Sequence, residues 1–352
     1  MKKRVLVFVM ALAMVAMLFA ACSSAPAQQA STAPSESQAV SEAPSAAAES
    51  PSASAEASAA TDTGKTYDVV FIAQSMSNES QAFASKMFQK HAAEFGLNVT
   101  VMDAKADPAT EAQLVTTAIA QGAKAIFVNP NDINGIVPSL MTAKEKGVAV
   151  CMFSSDLAEA NQQYRDFYVG ANDIEAGKAA AAAFIKQFPD GANIVEIGGQ
   201  SGHDAQIKRH DGFTQGLEGS KINVLDTQNC SAWATNDAMN IMQDFIVKYG
   251  EKIDGIFCHW DNGATGVIQA LQNANMKIPY LVAVDGCKAG FDQVKAGTQA
   301  VCLMQNFETM ATESMKLCRQ VLDGQKVENQ VNYIKWDVVT KDTIDTFTYP
   351  EW

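Results

Sequence analysis

Asp68-Val69-Val70-Phe71-Ile72-Ala73 is a β-branched and aromatic run, and Asn98-Val99-Thr100-Val101-Met102-Asp103 is a second one about thirty residues later. Between them lie a polar turn over residues 74–81, an amphipathic stretch over 81–95 and a break at Gly96. Strand, turn, helix and strand in this order make a βαβ unit, whose two strands must run parallel. The unit recurs along the chain. Further strand candidates stand at 125–129, 149–153, 166–169, 193–198, 221–227, 255–258, 280–284 and 299–303. Helix candidates alternate with them at 108–121, 133–146, 174–188, 204–217, 235–249, 263–275, 290–295 and 307–323. Strict alternation predicts an α/β fold of parallel sheets with helices on both faces. The strands are near-continuous apolar runs, as expected when both sheet faces are covered. Ten strands exceed one small sheet, so the pattern predicts two doubly wound, Rossmann-like lobes. Helix punctuation agrees: Asp107-Pro108 is a cap followed by proline at the first helical position, and Gly96, Gly147 and Gly324 close helices.

The region before this pattern differs in kind. Met1-Lys2-Lys3-Arg4 leads into an apolar run that ends at Ala21, just before Cys22. This is the layout of a secretory signal over residues 1–21. Residues 22–66 are dominated by Ser, Ala, Pro, Glu, Gln, Gly and Thr, a composition that buries too little apolar surface to offset ordering entropy. It predicts a flexible tether. Phe19-Ala20-Ala21-Cys22 resembles a bacterial lipobox, which implies lipidation of Cys22 and a membrane anchor.

The formal charge is −13, and loss of Lys2, Lys3 and Arg4 with the signal makes it three units more negative. No Lys/Arg cluster follows residue 4, so nucleic acid is excluded as a partner. Six cysteines follow Cys22: Cys151, Cys230, Cys258, Cys287, Cys302 and Cys318. None has metal-finger spacing, and most sit in or beside apolar strand runs, where a thiol acts as a small hydrophobe. They are expected to be mostly free and buried. No cofactor or metal is expected.

In open α/β sheets, ligands bind outside the carboxyl ends of the strands. The residues that follow the strand candidates are Asn78 and Gln81, Ser154 to Asp156, Asn172, Gln200 to Arg209, Trp233, Trp260-Asp261, Asp285 and Gln305. Polar turns are ordinary. Two tryptophans and an arginine at strand ends are less so. Planar, bidentate side chains beside aromatic faces suit a polyhydroxylated ligand, because hydroxyls donate and accept at once and an apolar ring face stacks on indole.

With these residues in hand, the chain from about Tyr67 to Lys335 resembles the periplasmic sugar-binding proteins of the ribose/galactose type. The resemblance rests on residues 103–108, on Ile126-Phe127-Val128-Asn129-Pro130-Asn131-Asp132, on Arg209-His210-Asp211-Gly212-Phe213, on Val284-Asp285-Gly286 and on the strand end at Gln305. It implies the type I periplasmic binding protein fold, with three hinge crossings near Ala171, Gln305 and Lys335. The N-terminal lobe would comprise 67–171 plus 306–335, and the C-terminal lobe 172–305 plus 336–352. It also implies a monomeric, extracytoplasmic substrate-binding protein of an ABC importer, partnered by permease subunits. The ligand-binding set is Asn78, Gln81, Ser154, Asp156, Asn172, Arg209, Trp233, Trp260, Asp261, Asp285 and Gln305. Ribose-type receptors carry aromatics at Ser80 and Gln81, an Asp-Arg pair at Ser154-Ser155 and Asn at Trp260, so a ligand other than ribose is expected. Loss of Arg209 or Asp285 is expected to abolish binding and leave the fold intact.

Two other readings use the same residues. A sensor presenting ligand to a chemoreceptor or histidine kinase would share fold and cleft. A secreted metal-dependent hydrolase would have to assemble His203, Asp204, His210, His259 and Asp261, whose spacing matches no helical metal pair.

Overall fold

The computed structural model describes residues 64–352. The expected signal segment, Cys22 and nearly all of the expected tether lie outside the described residues. The chain runs through β1 (Tyr67–Ala73), α1 (Glu79–His91), β2 (Leu97–Asp103), α2 (Pro108–Ala120), β3 (Ala125–Val128), α3 (Val137–Glu145), β4 (Ala149–Phe153) and β5 (Phe167–Ala171). It continues through α4 (Asp173–Gln187), β6 (Ala192–Gln200), α5 (Asp204–Leu217), β7 (Ile222–Cys230), α6 (Thr235–Tyr249) and β8 (Gly255–Cys258). Next come α7 (Asp261–Asn273), β9 (Tyr280–Asp285), α8 (Lys288–Ala296), β10 (Val301–Met304), α9 (Phe307–Leu322), β11 (Val331–Ile334) and β12 (Asp337–Thr340).

Among the described residues these strands form two six-stranded sheets of matching order, β11-β5-β4-β3-β1-β2 and β12-β10-β9-β8-β6-β7. The chain changes sheet after β5, returns after β10 and changes again after β11, which gives the three crossings of a type I periplasmic binding protein fold. All pairings are parallel except β10 with β12, which is antiparallel. The sequence pattern does not reveal β11 and β12. Both are four-residue edge strands, half exposed, and so lack the apolar run that marks a central strand.

Each sheet is buried on both faces. One face of the first carries Phe71, Phe127 and Phe153 against Phe88 of α1, with the Phe71 and Phe88 rings stacked at 4.5 Å. The other carries Ile72, Ile126, Val128 and Val150. In the second sheet, Ile197, Ile256 and Leu281 pack one face and Phe257, Val282 and Leu303 the other. All six later cysteines are buried and free; Cys151 and Cys318 pack in the first sheet's layers and Cys230 and Cys258 in the second's.

Strand-to-helix connections set the geometry of the site. The side chains of Asn78, Asn172, His203 and Asn306 cap α1, α4, α5 and α9, each accepting from a backbone N–H of the first turn. Polar groups therefore collect at the carboxyl ends of the strands. Helices α4 and α5 touch almost backbone to backbone. A Cβ on Gly212 would stand 2.1 Å from the Ile174 carbonyl, and one on Gly177 2.2 Å from that of Arg209. This close crossing brings Asp173 of α4 to Arg209 of α5.

The expected lobe boundaries need one adjustment. Tyr349 packs edge-on against Phe291 in the second lobe, but Trp352 stacks on Phe83 at 5.6 Å and meets Phe307 edge-on at 5.2 Å. Both partners lie on first-lobe helices, so the end of the segment 336–352 crosses back to bury its indole there.

Candidate ligand-binding cleft

A narrow chamber lies between the lobes, lined from both. The first lobe contributes Gln74, Asn78, Ser80, Gln81, Asn129, Ser154 and Phe307. The second contributes His203, Ala205, Arg209, Trp233, Trp260, Asp285 and Gln305. The cleft is drawn together by direct contacts. Gln74 Nε2 donates to Gln200 Oε1 (2.5 Å), and the Asp156 N–H donates to Asp204 Oδ2 (3.0 Å). The His203 ring bonds Ser155 Oγ (3.1 Å) and Asn129 Oδ1 (3.2 Å).

Arg209 is the central cation. Its Nε donates to Asp173 Oδ1 at 2.8 Å, its Nη1 donates to the His259 carbonyl at 2.5 Å, and its guanidinium lies 5.7 Å from the Trp233 ring centroid. Asp285 ends β9. Its Oδ1 accepts from Gln305 Nε2 at 2.9 Å. Burial pushes its carboxyl up to about 8, against the pull of Arg209. Ser154 and Asp285 follow or end the third strand of their respective sheets, and both have left-handed φ, 62° and 133°. Strained backbone at matching points of the two lobes, both on the chamber, marks a site whose geometry is held by its surroundings.

Several polar atoms here have no partner. Gln74 Oε1, Gln81 Oε1 and Trp260 Nε1 are buried without a hydrogen bond. Each unmet group costs free energy that a bound hydroxyl would recover.

Asn78, Gln81, Ser154, Arg209, Trp233, Trp260, Asp285 and Gln305 are thus brought together as expected from the strand ends. Asp156, Asn172 and Asp261 are not. Asp156 forms a buried bidentate pair with Arg165 (2.6 and 2.8 Å). The Asn172 side chain caps α4, and its carbonyl accepts from Trp336 Nε1. Asp261 is fully buried, accepting from the Gly286 and Cys287 N–H groups and from Gln299 Nε2. These carboxylates and this amide hold loops in place behind the chamber wall.

The hydrolase set does not converge either. His210 and His259 both bond Glu196, at 2.8 and 2.9 Å, whereas Asp204 pairs with Lys208. Burial alone would raise the Glu196 carboxyl, but the two imidazoles outweigh it and hold it at about 2.

Other lining residues escaped the sequence reading. Gln74 is the first residue after β1 and Phe307 the first of α9, an apolar side chain where a polar one was sought. Gly199 and Gly263 make room for the tryptophans: a Cβ would stand 1.9 Å from Trp233 Cη2 at Gly199 and 2.5 Å from Trp260 Cε2 at Gly263. The Gly198-Gly199 doublet inside a strand was the available signal, since strand glycines mark close approach.

The buried carboxyls give stability a definite pH dependence. Burial raises Glu111 and Asp285 to about 8, so the folded state holds protons there that the unfolded chain releases near pH 4. Stability from such groups is present at low pH and lost as pH rises through 8. Hydrogen bonding to Glu196 raises His210, which acts in the same direction above pH 6.5. Burial lowers His203 to about 3, which opposes the trend only below 6.5. The melting temperature of the ligand-free protein is therefore expected to fall between pH 6.5 and 8. A rise over that interval would contradict these assignments.

A periplasmic binding protein domain model matches residues 69–326. The chain belongs to that family. Among curated relatives, the ribose import binding protein of Haemophilus influenzae is 26% identical over 274 residues, covering 78% of this chain and 92% of that protein. The xylitol-binding protein of Mycolicibacterium smegmatis is 27% identical over 242 residues, 68% of this chain and 67% of that one. Among solved structures, a galactofuranose binding protein superposes with TM-score 0.75 at 21% identity, covering 80% and 96% of the two chains. A Caulobacter myo-inositol binding protein bound to myo-inositol gives 0.73 at 23%, again covering 80% and 96%. These structural likenesses establish that this family member has the type I binding-protein fold.

Proposed function

We propose that this chain is an extracytoplasmic, non-enzymatic substrate-binding protein of an ABC importer that encloses a monosaccharide or similar small polyhydroxylated molecule between its lobes. One observation carries the reading: a chamber walled by both lobes, in which buried amide and indole atoms lack partners beside Arg209 and Asp285. Hydroxyls supply donors to Gln74 Oε1 and Gln81 Oε1 and an acceptor to Trp260 Nε1, and an apolar ring face lies against indole. A ligand touching both lobes favours the closed form, which permease subunits would read by shape. The relatives named for ribose and xylitol support the ligand class. The N-terminal sequence supports export and lipidation at Cys22, with the binding unit acting as a monomer on a tether.

A thermal-shift screen over pentoses, hexoses, cyclitols and polyols tests this. A ligand at a hundredfold excess over Kd adds about 2.7 kcal/mol. No shift from any member would contradict the reading. In the same assay Gly199→Ala is expected to weaken the best ligand at least about tenfold, equivalent to about 1.4 kcal/mol. The new methyl displaces the half-exposed Trp233 rather than backbone, so ligand-free stability should change little. Unaltered affinity would remove Trp233 from the site.

A further inference from the structure

A second, wider chamber adjoins the first and shares Gln74, Asn78, Trp233 and Trp260 with it. The two are one slot with a constriction. The tryptophans stand there as a perpendicular pair, ring centroids 5.5 Å apart and planes at 90°. Both indoles line both chambers. Trp260 is only 3% exposed, yet its Nε1 has no partner, and Gln74, 1% exposed, leaves Oε1 unpaired. Two residues shared by both chambers thus carry deeply buried, unsatisfied polar atoms. Asn262 Nδ2 donates to Glu79 Oε2 (3.1 Å), so a bond between the lobes also spans the second chamber.

The chemistry of the outer lining is selective. Ser75, Ser77 and Thr235 bring hydroxyls, and Asn262 an amide. Among the described residues, Glu79 is the only charged side chain lining it, and no Lys, Arg or His does. With no cationic side chain beside it, the Glu79 carboxylate disfavours an anionic group here. This lining favours a neutral, hydroxylated unit over an anionic one.

We infer, building on the proposed sugar-binding role, that the ligand has two units: a polyhydroxylated ring in the inner chamber and a neutral hydroxylated substituent, joined through the Trp233–Trp260 junction, in the outer one. A glycoside or disaccharide fits this description better than a sugar phosphate, whose charge the Glu79 carboxylate opposes.

The test titrates the full mature protein calorimetrically with matched pairs: each monosaccharide of the panel, its methyl glycoside, its disaccharides and its phosphate ester. At least one glycoside or disaccharide is expected to bind ten times or more tightly than its parent monosaccharide, and phosphate esters more weakly than the parent. The variants Ser77→Trp and Ala232→Trp fill the outer chamber from opposite lobes. Each should cost the two-unit ligand at least tenfold and change the parent monosaccharide less than twofold. Ser77 is an exposed loop residue, so its variant is expected to keep the wild-type melting temperature. Parent monosaccharides binding as well as or better than every two-unit ligand would overturn this inference and leave the proposed function standing. Equal losses for both ligand types in the filled variants would do the same. No binding by any member would overturn both.

Discussion

Arg209→Ala is expected to lower the unfolding free energy by about 3 to 5 kcal/mol and to eliminate the ligand-induced thermal shift. The guanidinium is 4% exposed and its partner Asp173 2%. Burial already holds the Asp173 carboxyl above its ordinary range, although Arg209 pulls it down. Removing the cation leaves a buried carboxylate unpaired, the situation in which breaking an ion pair is most costly. It also leaves the His259 carbonyl without a donor and removes the cation beside Trp233. Arg209→Lys should recover only part of the loss, because one ammonium cannot serve Asp173 and the His259 carbonyl in the same fork geometry. Urea denaturation of the ligand-free variants measures the effect. A loss below about 1 kcal/mol would mean that the pair is solvated and that Arg209 is a ligand contact alone. The sequence alone suggests that simpler role, since neither Asp173 nor the close α4–α5 crossing is visible in the spacing of motifs.

Asp285→Asn separates binding from folding more cleanly. The side chain is isosteric, and asparagine tolerates positive φ, so the strained backbone at 133° should persist. Above pH 8, where Asp285 is ionised, a carboxylate bonded to hydroxyls contributes about 1.5 to 3 kcal/mol per hydrogen bond. Loss of two such bonds weakens binding by at least about a hundredfold, some 2.8 kcal/mol. Ligand-free stability should move the other way at alkaline pH. The native carboxyl titrates near 8 because it is buried, so deprotonation costs folded-state stability above neutrality, and the amide removes that cost. The melting temperature of the variant should therefore fall less than that of the wild type between pH 6.5 and 8. Wild-type affinity in Asp285→Asn would place the ligand elsewhere.

The contrast between the two aspartates after β8 and β9 shows what a sequence makes legible. Position at a strand end is local information, and it correctly brought Asp285, Trp233 and Gln305 to the chamber. Asp261 has the same local signature but meets Gln299, Cys302 and the Gly286 N–H, partners whose proximity exists only after the sheet forms. Asp156 is taken by Arg165, which follows a turn that periodicity does not read. The βαβ repeat made the central strands plain because burial on both faces writes a continuous apolar run. At β11 and β12, exposure on one edge erased that mark. The role of Gly199 is not legible locally, because its meaning lies in the indole of Trp233, more than thirty residues away.

Enclosure of a hydroxylated ligand between the lobes is tested most directly by small-angle scattering. The radius of gyration would be measured for the ligand-free protein and again at saturation with whichever sugar or polyol most raises its melting temperature. The account predicts a smaller radius on saturation, as bonds from both lobes to the ligand draw the open fraction shut. Superimposable profiles, with a ligand that demonstrably stabilises the fold, would show that binding occurs without the lobes closing on it.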